Sequence, residues 1–445
     1  MGRWIGGFTA AVLLLAALHM LVFDRSLGGD GWAGFALLES LTDDGDLWLE
    51  NNHRGVMNGL LETPAGHLVA PHLVSQYPPG IVVLDAAPFQ AGRALDHLLP
   101  AGRLAAGVEL PPVGRVPRGV FLSVGLIVLA RNAAALLGLA WIALALRRLG
   151  LPERTTAAAV AFTFFGGPLL FYALVGMTHA PTFALASLLL LILVRCREAG
   201  SLRLAFAAGM VVGAAVLVRY SAVALLVPAV WAVWVERTQR TQRTAACLAG
   251  FSLFLVPLPF WWHACFGSWL PPPYGGRWVI TAASPWNVLF GPVHGFFLFH
   301  PAMLCAAAGL LLVRLADRES TRAWRGIAAV WFLAVAVLHG WWSEAANPGG
   351  YGQRFLIDAL PALALGFAGW LSARWRIGLA AAATLAGFLF FFAAVGGLVT
   401  PPAPWPWPQR LGEYAVLLRH PPAPREMIEA FRRSSFVVRL ALGPR

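Results

Sequence analysis

The sequence predicts an all-α protein that crosses a membrane many times, and three observations carry that prediction. The 445 residues are 58% hydrophobic and 12% charged, about half the roughly 25% charged share of a soluble domain. Mean hydropathy is +0.68. The apolar residues fall in runs near the ~20 residues that cross a bilayer as helix.

Taken in order, the expected spans are 4–23, 119–146, 155–174, 178–194, 204–219, 221–235, 245–265, 293–313, 326–342, 354–372 and 377–398. The first begins after Arg3 and resembles a signal peptide. Asp24, Arg25 and Ser26 follow it with no small-residue cleavage site, so it reads as an uncleaved helix. Arginines then alternate between loops. Arg147, Arg148 and Arg154 follow the second span, and Arg195, Arg197 and Arg203 the fourth. Arg237, Arg240 and Arg243 follow the sixth, Arg314, Arg318, Arg322 and Arg325 the eighth, and Arg374 and Arg376 the tenth. The positive-inside rule places these loops and the N-terminus in the cytoplasm. The expected location is a bacterial inner membrane, with residues 24–118 forming the first outer loop.

Two regions strain the eleven-span count. The run Ile81–Ala87 carries Asp85 and is too short to span, so it is expected to be interfacial or re-entrant. Residues 399–445 form a Pro/Trp-rich linker, "TPPAPWPWPQ", and a tail with seven Arg. Ten spans with the tail inside is the alternative. Residues 1–398 make the membrane domain. Gly166-Gly167-Pro168 is a candidate break in the third span.

The net charge of +12 does not indicate nucleic acid. All 33 basic residues are Arg, scattered singly between apolar runs, where a nucleic-acid surface gathers them on one face. The usage reads as a GC-rich genome. Cys196, Cys247, Cys265 and Cys305 form no CxxC pair, which argues against a disulfide framework or zinc site.

The carboxylates are unevenly placed. Of 21 acids, five (Asp30, Glu39, Asp43, Asp44, Asp46) lie within residues 30–46. Trp32, Phe35, Leu38 and Leu41 are three apart, which predicts a short helix in the membrane surface, with Glu39 and Ser40 toward water. Asp30 starts it, either as an N-cap or as a functional carboxylate; Ala33 stands where a capping box needs Glu. "DDGD" at 43–46 reads as a polar turn around Gly45. Asp44, Asp46 and His53 are the weak candidates for a divalent metal, which stays unassigned because one loop with scattered ligand types is no metal signature.

Several stretches, in order, resemble a bacterial branch of the GT-C membrane glycosyltransferases, relatives of protein O-mannosyltransferases, aminoarabinose transferases and oligosaccharyltransferases. They are "GDGWAGFALLESLTDDGDLWLENN" at 29–52, "QYPPG" at 76–80 with "APF" at 87–89, and "THAPTFALASLLLLI" at 178–192. "VRYSA" at 218–222, "NVLFGPVHGFFLFHP" at 287–301 and "YGQRFLIDALP" at 351–361 complete the set. The family's tyrosines in the first stretch are replaced here by Gly34 or Phe35 and by Leu37 or Leu38.

The resemblance implies an inverting transfer of a sugar from a polyprenyl-phosphate donor to a glycan, lipid or protein acceptor outside the cytoplasm. Asp30 would be the general base. A hydroxyl nucleophile needs its proton accepted as it attacks, and the leaving phosphate needs cationic help. Arg354 and Arg219 are the candidate phosphate contacts, and snorkelling is the plainer account of each. Arg277 is a weaker candidate. His179, His294 and Tyr77 join the substrate-binding set by motif match; a lone His at a helix end is otherwise structural, and His300 is read so. Glu344 either pairs with Arg354 or reads the acceptor. Arg131, inside the second span, reads as an intra-bundle pair or as a sign that the span is misplaced. A transporter or flippase is the competing reading, as is a GT-C-fold protein without catalysis. Transport is disfavoured because almost no acid is seen inside a span.

Overall fold

The structure is a computed structural model and describes residues 29–51, 60–62, 72–98, 108–110, 114–116, 121–174, 177–235, 239–270, 283–291, 295–315, 317–342 and 353–395. The expected first span and the 399–445 linker and tail lie outside the described residues. So do His53, Arg277, His294 and Glu344. Asp30 is described through its backbone only.

The chain is helical almost throughout. Helix α1 (Gly29–Glu39) runs into a π turn (Ser40–Asp44). Strands β1 (Leu60–Glu62) and β2 (Leu73–Ser75) pair antiparallel, with Leu61 opposite Val74. Helix α2 (Gly80–Leu98) follows, then the small ladder β3 (Val108–Leu110) and β4 (Gly114–Val116). The bundle comprises α3 (Phe121–Arg148), α4 (Glu153–Phe165), α5 (Leu169–Leu174), α6 (His179–Ala199) and α7 (Leu202–Val218). A 3-10 turn, Tyr220–Leu225, leads into α8 (Leu226–Trp234), then α9 (Arg240–Leu255) and α10 (Pro257–Phe266). Next come α11 (Ala283–Phe290), α12 (Phe296–Phe299), α13 (Ala302–Leu310) and α14 (Arg318–Trp341). A second 3-10 turn, Arg354–Ala359, enters α15 (Leu360–Trp370), and α16 (Arg374–Val395) closes the described chain.

Among the described residues, four stretches are long and apolar enough to cross a membrane: Leu122–Arg148, His179–Ala199, Arg240–Phe266 and Arg318–Trp341. Local chemistry sets the helix ends. Pro168, which has no N–H to donate, separates α4 from α5 just where the sequence marked a break. Gly200 closes α6 in the left-handed region at φ +62°. Ser201 then accepts the Leu204 N–H and starts α7. Asp317 caps α14 by accepting the Ser320 N–H at 2.6 Å. Helices α7 and α9 pack at Gly209 and Gly250. A Cβ on Gly209 would stand 1.8 Å from the Cys247 carbonyl oxygen, so only glycine permits this approach, the usual device of helix pairs in lipid.

Among the described residues, two large apolar cores stand beside a small one of Val74, Cys265 and Phe266. The largest joins α3 to α8 with α13 to α15 and includes Phe183, Trp331, Leu356 and Phe367. The second gathers α1, α2 and the start of α3 around Trp32, Phe35, Ile81, Phe89 and Ile127, and it takes in Val218 at the end of α7.

Three expectations change. The surface helix at 30–41 is helical to Glu39, but residues 31–40 are all buried, Glu39 and Ser40 included, while Leu41 is exposed. Packing of α2 and α3 against α1 covers the face that was expected to meet water. The run Ile81–Ala87 is not a short element; it is the front of the 19-residue helix α2. Acids do occur within the apolar segments: Asp85 in α2 and Asp358 before α15 are both buried.

Candidate active site

Asp30 stands in the first turn of α1. The π turn that follows is folded by Ser40. Its hydroxyl lies 2.7 Å from both Asp46 Oδ1 and the Trp48 carbonyl oxygen, and Asp46 Oδ1 also accepts the Trp48 N–H at 2.9 Å. Asp44 accepts from Asn51 Nδ2 at 3.0 Å. Asp43 pairs with Arg93, and the Gln90 amide donates to the Thr42 hydroxyl at 3.1 Å, both on α2. The acidic motif is thus a folded turn. Among the described residues no three His, Cys, Asp or Glu side chains gather as a metal site.

Under α1 lies a buried ion pair. Arg131 on α3 meets Asp85 on α2 through two contacts, Nε to Oδ1 at 3.3 Å and Nη2 to Oδ2. The same Nη2 is 3.9 Å from the Cβ position of Gly34. Gly34 is one turn beyond Asp30 on the same helix face. The expected intra-bundle pairing of Arg131 is therefore present, and its partner is the acid the short apolar run had carried. Tyr77, partly buried, packs beside this core and donates its N–H to Ser75 Oγ at 3.2 Å.

The other predicted residues converge at Phe355. Arg354 opens the second 3-10 turn, its guanidinium 5.1 Å from the Phe355 ring centroid, with Nη1 3.8 Å from Met177 Sδ. Arg219 caps the end of α7 with extended backbone; its guanidinium is 5.8 Å from the same ring. His179 begins α6, fully buried, stacked on Tyr172 at 5.2 Å and 6.2 Å from Phe355. His339, near the end of α14, stacks on Phe355 at 5.1 Å, and Trp342 meets its edge at 4.7 Å. Asp358 lies 3.6 Å from Arg219.

Neighbouring bonds hold this arrangement. The Trp331 indole N–H donates to the Asp358 carbonyl oxygen at 2.9 Å, fixing the 3-10 turn to α14. The Trp262 indole N–H donates to Tyr220 Oη at 3.0 Å, fixing the chain after Arg219 to α10. Val218 sits in the same core as Trp32 and Phe35, so the end of α7 joins the helix of Asp30 to the Phe355 cluster.

Two guanidiniums and two imidazoles at one aromatic ring, with a carboxylate beside Arg219, form a cationic cluster in an apolar bundle. Both ring nitrogens of His179 and Nε2 of His339 are buried with no hydrogen-bond partner among the described residues. Buried polar atoms of this kind are costly unless something pairs with them. Such a set can hold an anionic oxygen group. His300 packs elsewhere, 5.9 Å from Phe296.

Sequence reasoning missed His339 and Asp358. The signal for Asp358 was present, since an acid inside an expected span marks function or pairing. His339 carried no signal of its own, as one histidine near a helix end is ordinary.

No family model and no curated protein matches the chain. Solved structures do. The crystal structure of ArnT from Cupriavidus metallidurans bound to undecaprenyl phosphate aligns with a TM-score of 0.59 at 14% identity, over 99% of this chain and 78% of that one. The apo state of the same protein aligns with a TM-score of 0.55 at 14% identity, over 96% of this chain and 74% of that one. The match over nearly the whole chain shows that its apolar helical bundle shares the fold of that protein.

Proposed function

We propose that the protein is a membrane glycosyltransferase that moves a sugar from a polyprenyl-phosphate donor to an acceptor hydroxyl outside the cytoplasm. One observation carries the reading. Arg219, Arg354 and His179, far apart in sequence, meet at Phe355, in a fold whose solved counterpart is bound to undecaprenyl phosphate.

The reaction is a single displacement. The acceptor oxygen attacks the anomeric carbon as the bond from that carbon to the phosphate oxygen breaks. The electron pair leaves with polyprenyl phosphate, and the acceptor proton passes to Asp30. Arg354 and Arg219 stabilise the charge growing on the phosphate; placed donors at such a position contribute more in a site shielded from water. His179 donates to the same group, and Tyr77 lines the approach beside α1. His294 is assigned to substrate binding from its motif, and Glu344, the outer acid near Arg354 in sequence, either to pairing with that Arg or to reading the acceptor. One base and one displacement give inversion, so retained anomeric configuration in the product would contradict the mechanism.

The test is release of polyprenyl phosphate. Protein in lipid nanodiscs is mixed with a panel of polyprenyl-phosphate sugars and a cell-envelope acceptor fraction. Wild type is expected to release the lipid phosphate and Asp30→Asn is not. Release that survives in Asp30→Asn removes Asp30 as the base. No release with any donor removes the transferase reading.

A further inference from the structure

Asp358 has no part in the reaction as written, yet it is the carboxylate the structure places inside the cationic cluster. It is 1% exposed. Arg219 Nη1 is 3.6 Å from its Oδ2, longer than a hydrogen bond. The Thr182 hydroxyl hydrogen-bonds the carboxylate, but it also lies 3.2 Å from the Thr178 and 3.0 Å from the His179 carbonyl oxygen, so one proton serves three acceptors. Apart from that shared hydroxyl, neither carboxylate oxygen has a hydrogen-bond donor among the described residues. A carboxylate buried this way is costly, and beside two arginines it weakens their hold on any anion. A structural counter-ion would be expected to sit at hydrogen-bond length.

The charge of the two lipids differs. A sugar linked to polyprenyl phosphate is a phosphodiester with one negative charge. The product is a phosphate monoester, whose second pKa near 6 gives it about −1.5 to −2 at neutral pH. A pocket with both guanidiniums uncompensated would bind product more tightly than donor, and product release limits many enzymes. Resting on the function proposed above, we infer that Asp358 is the positioning counter-charge that lets the phosphate product leave. It shares Arg219 with the lipid phosphate. While the sugar transfers, Arg219 serves the leaving oxygen; as product departs, the guanidinium returns to Asp358. The 3.6 Å separation suits a partner that is readily given up.

The experiment measures binding of two probes to the full chain in nanodiscs, undecaprenyl phosphate and its methyl phosphodiester. Wild type, Asp358→Asn and the double variant Asp358→Asn/Arg219→Gln are compared. Asp358→Asn is expected to bind undecaprenyl phosphate roughly tenfold more tightly, from the loss of one nearby like charge, with a smaller gain for the diester. Its kcat and KM both fall, and the double variant loses the gain. Weaker or unchanged binding of undecaprenyl phosphate by Asp358→Asn overturns the inference, as does a raised KM. So does a wild type that already prefers the monoester to the diester by more than about tenfold, a result that needs no folded variant. A wild type that binds neither probe overturns the lipid-phosphate site, and this inference with it.

Discussion

Arg131 and Asp85 form an ion pair between α3 and α2 with both side chains buried to within a few percent. The pair lies directly beneath α1, one helical turn from Asp30, and so supports the helix that carries the proposed base. Two opposite charges taken out of water gain little over an apolar pair, but either alone is unfavourable.

From this, Asp85→Asn or Arg131→Met alone should destabilise the fold by about 3–5 kcal/mol. The double variant Asp85→Leu/Arg131→Met should recover most of that loss. Thermal unfolding in detergent, followed by intrinsic tryptophan fluorescence, measures both. Equal loss in the single and double variants would mean that the two residues act independently.

Removal of the base is expected to be severe. Asp30→Asn should reduce transfer by about 10²–10⁴-fold, the usual contribution of a positioned general base, with donor affinity little changed. Single-turnover kinetics separate the two quantities. A drop seen only in KM would assign Asp30 to binding.

In the proposed reaction the arginines divide the work at the phosphate. Arg354→Gln should lower kcat by about 10²–10³-fold, as loss of an oxyanion donor does. Arg354→Lys should recover only part, because an ammonium lacks the planar fork that meets two oxygens at once. The comparison is made on kcat/KM with a fixed donor, and full recovery by lysine would show that charge alone suffices.

Packing of α7 on α9 offers a test of the bundle itself. Gly209→Val should prevent stable folding, since its Cβ would overlap the Cys247 carbonyl oxygen. Overpacking typically costs 1–3 kcal/mol and sometimes more, and backbone against backbone leaves no side chain to yield. Monodisperse protein on size exclusion at wild-type yield would count against the close approach.

Asp317 caps α14. Hydrogen bonds from the Ser320 and Glu319 N–H groups hold its carboxyl below the ordinary aspartate range. A depressed folded-state pKa means that the cap's extra stability is present above the unfolded-state value. It is lost as pH falls through the folded-state value. Asp317→Ala should therefore lower the thermal midpoint near neutral pH, and the gap to wild type should close in acid below the usual carboxylate range. A gap that stays constant with pH would assign the effect to helix propensity alone.

Much of the architecture was legible in the chain. The apolar runs marked α3 and α7 within two residues at each end, α6 runs five residues further and α14 starts eight residues earlier than expected, and Gly166-Gly167-Pro168 marked the break between α4 and α5. These are local properties, set by run length and by residues that cannot continue a helix. The 30–41 helix shows where such reading stops. Its three-residue apolar spacing indicated a helix, but not that Glu39 and Ser40 would be covered. Coverage depends on α2 and α3, which come from elsewhere in the chain.

The site divides the same way. Sequence by itself determined the membrane-spanning helical class, the acidic first loop, and Arg219 and Arg354 as residues out of place in apolar surroundings, with His179 marked by its motif. Each of these is a statement about one residue against its near neighbours. Tertiary structure alone decided that the three meet at Phe355, that His339 joins them, that Asp85 answers Arg131 across 46 positions, and that Asp358 stands 3.6 Å from Arg219. Charges buried in an apolar bundle must find partners, and which partners they find is set by how the helices cross, a property no single segment contains.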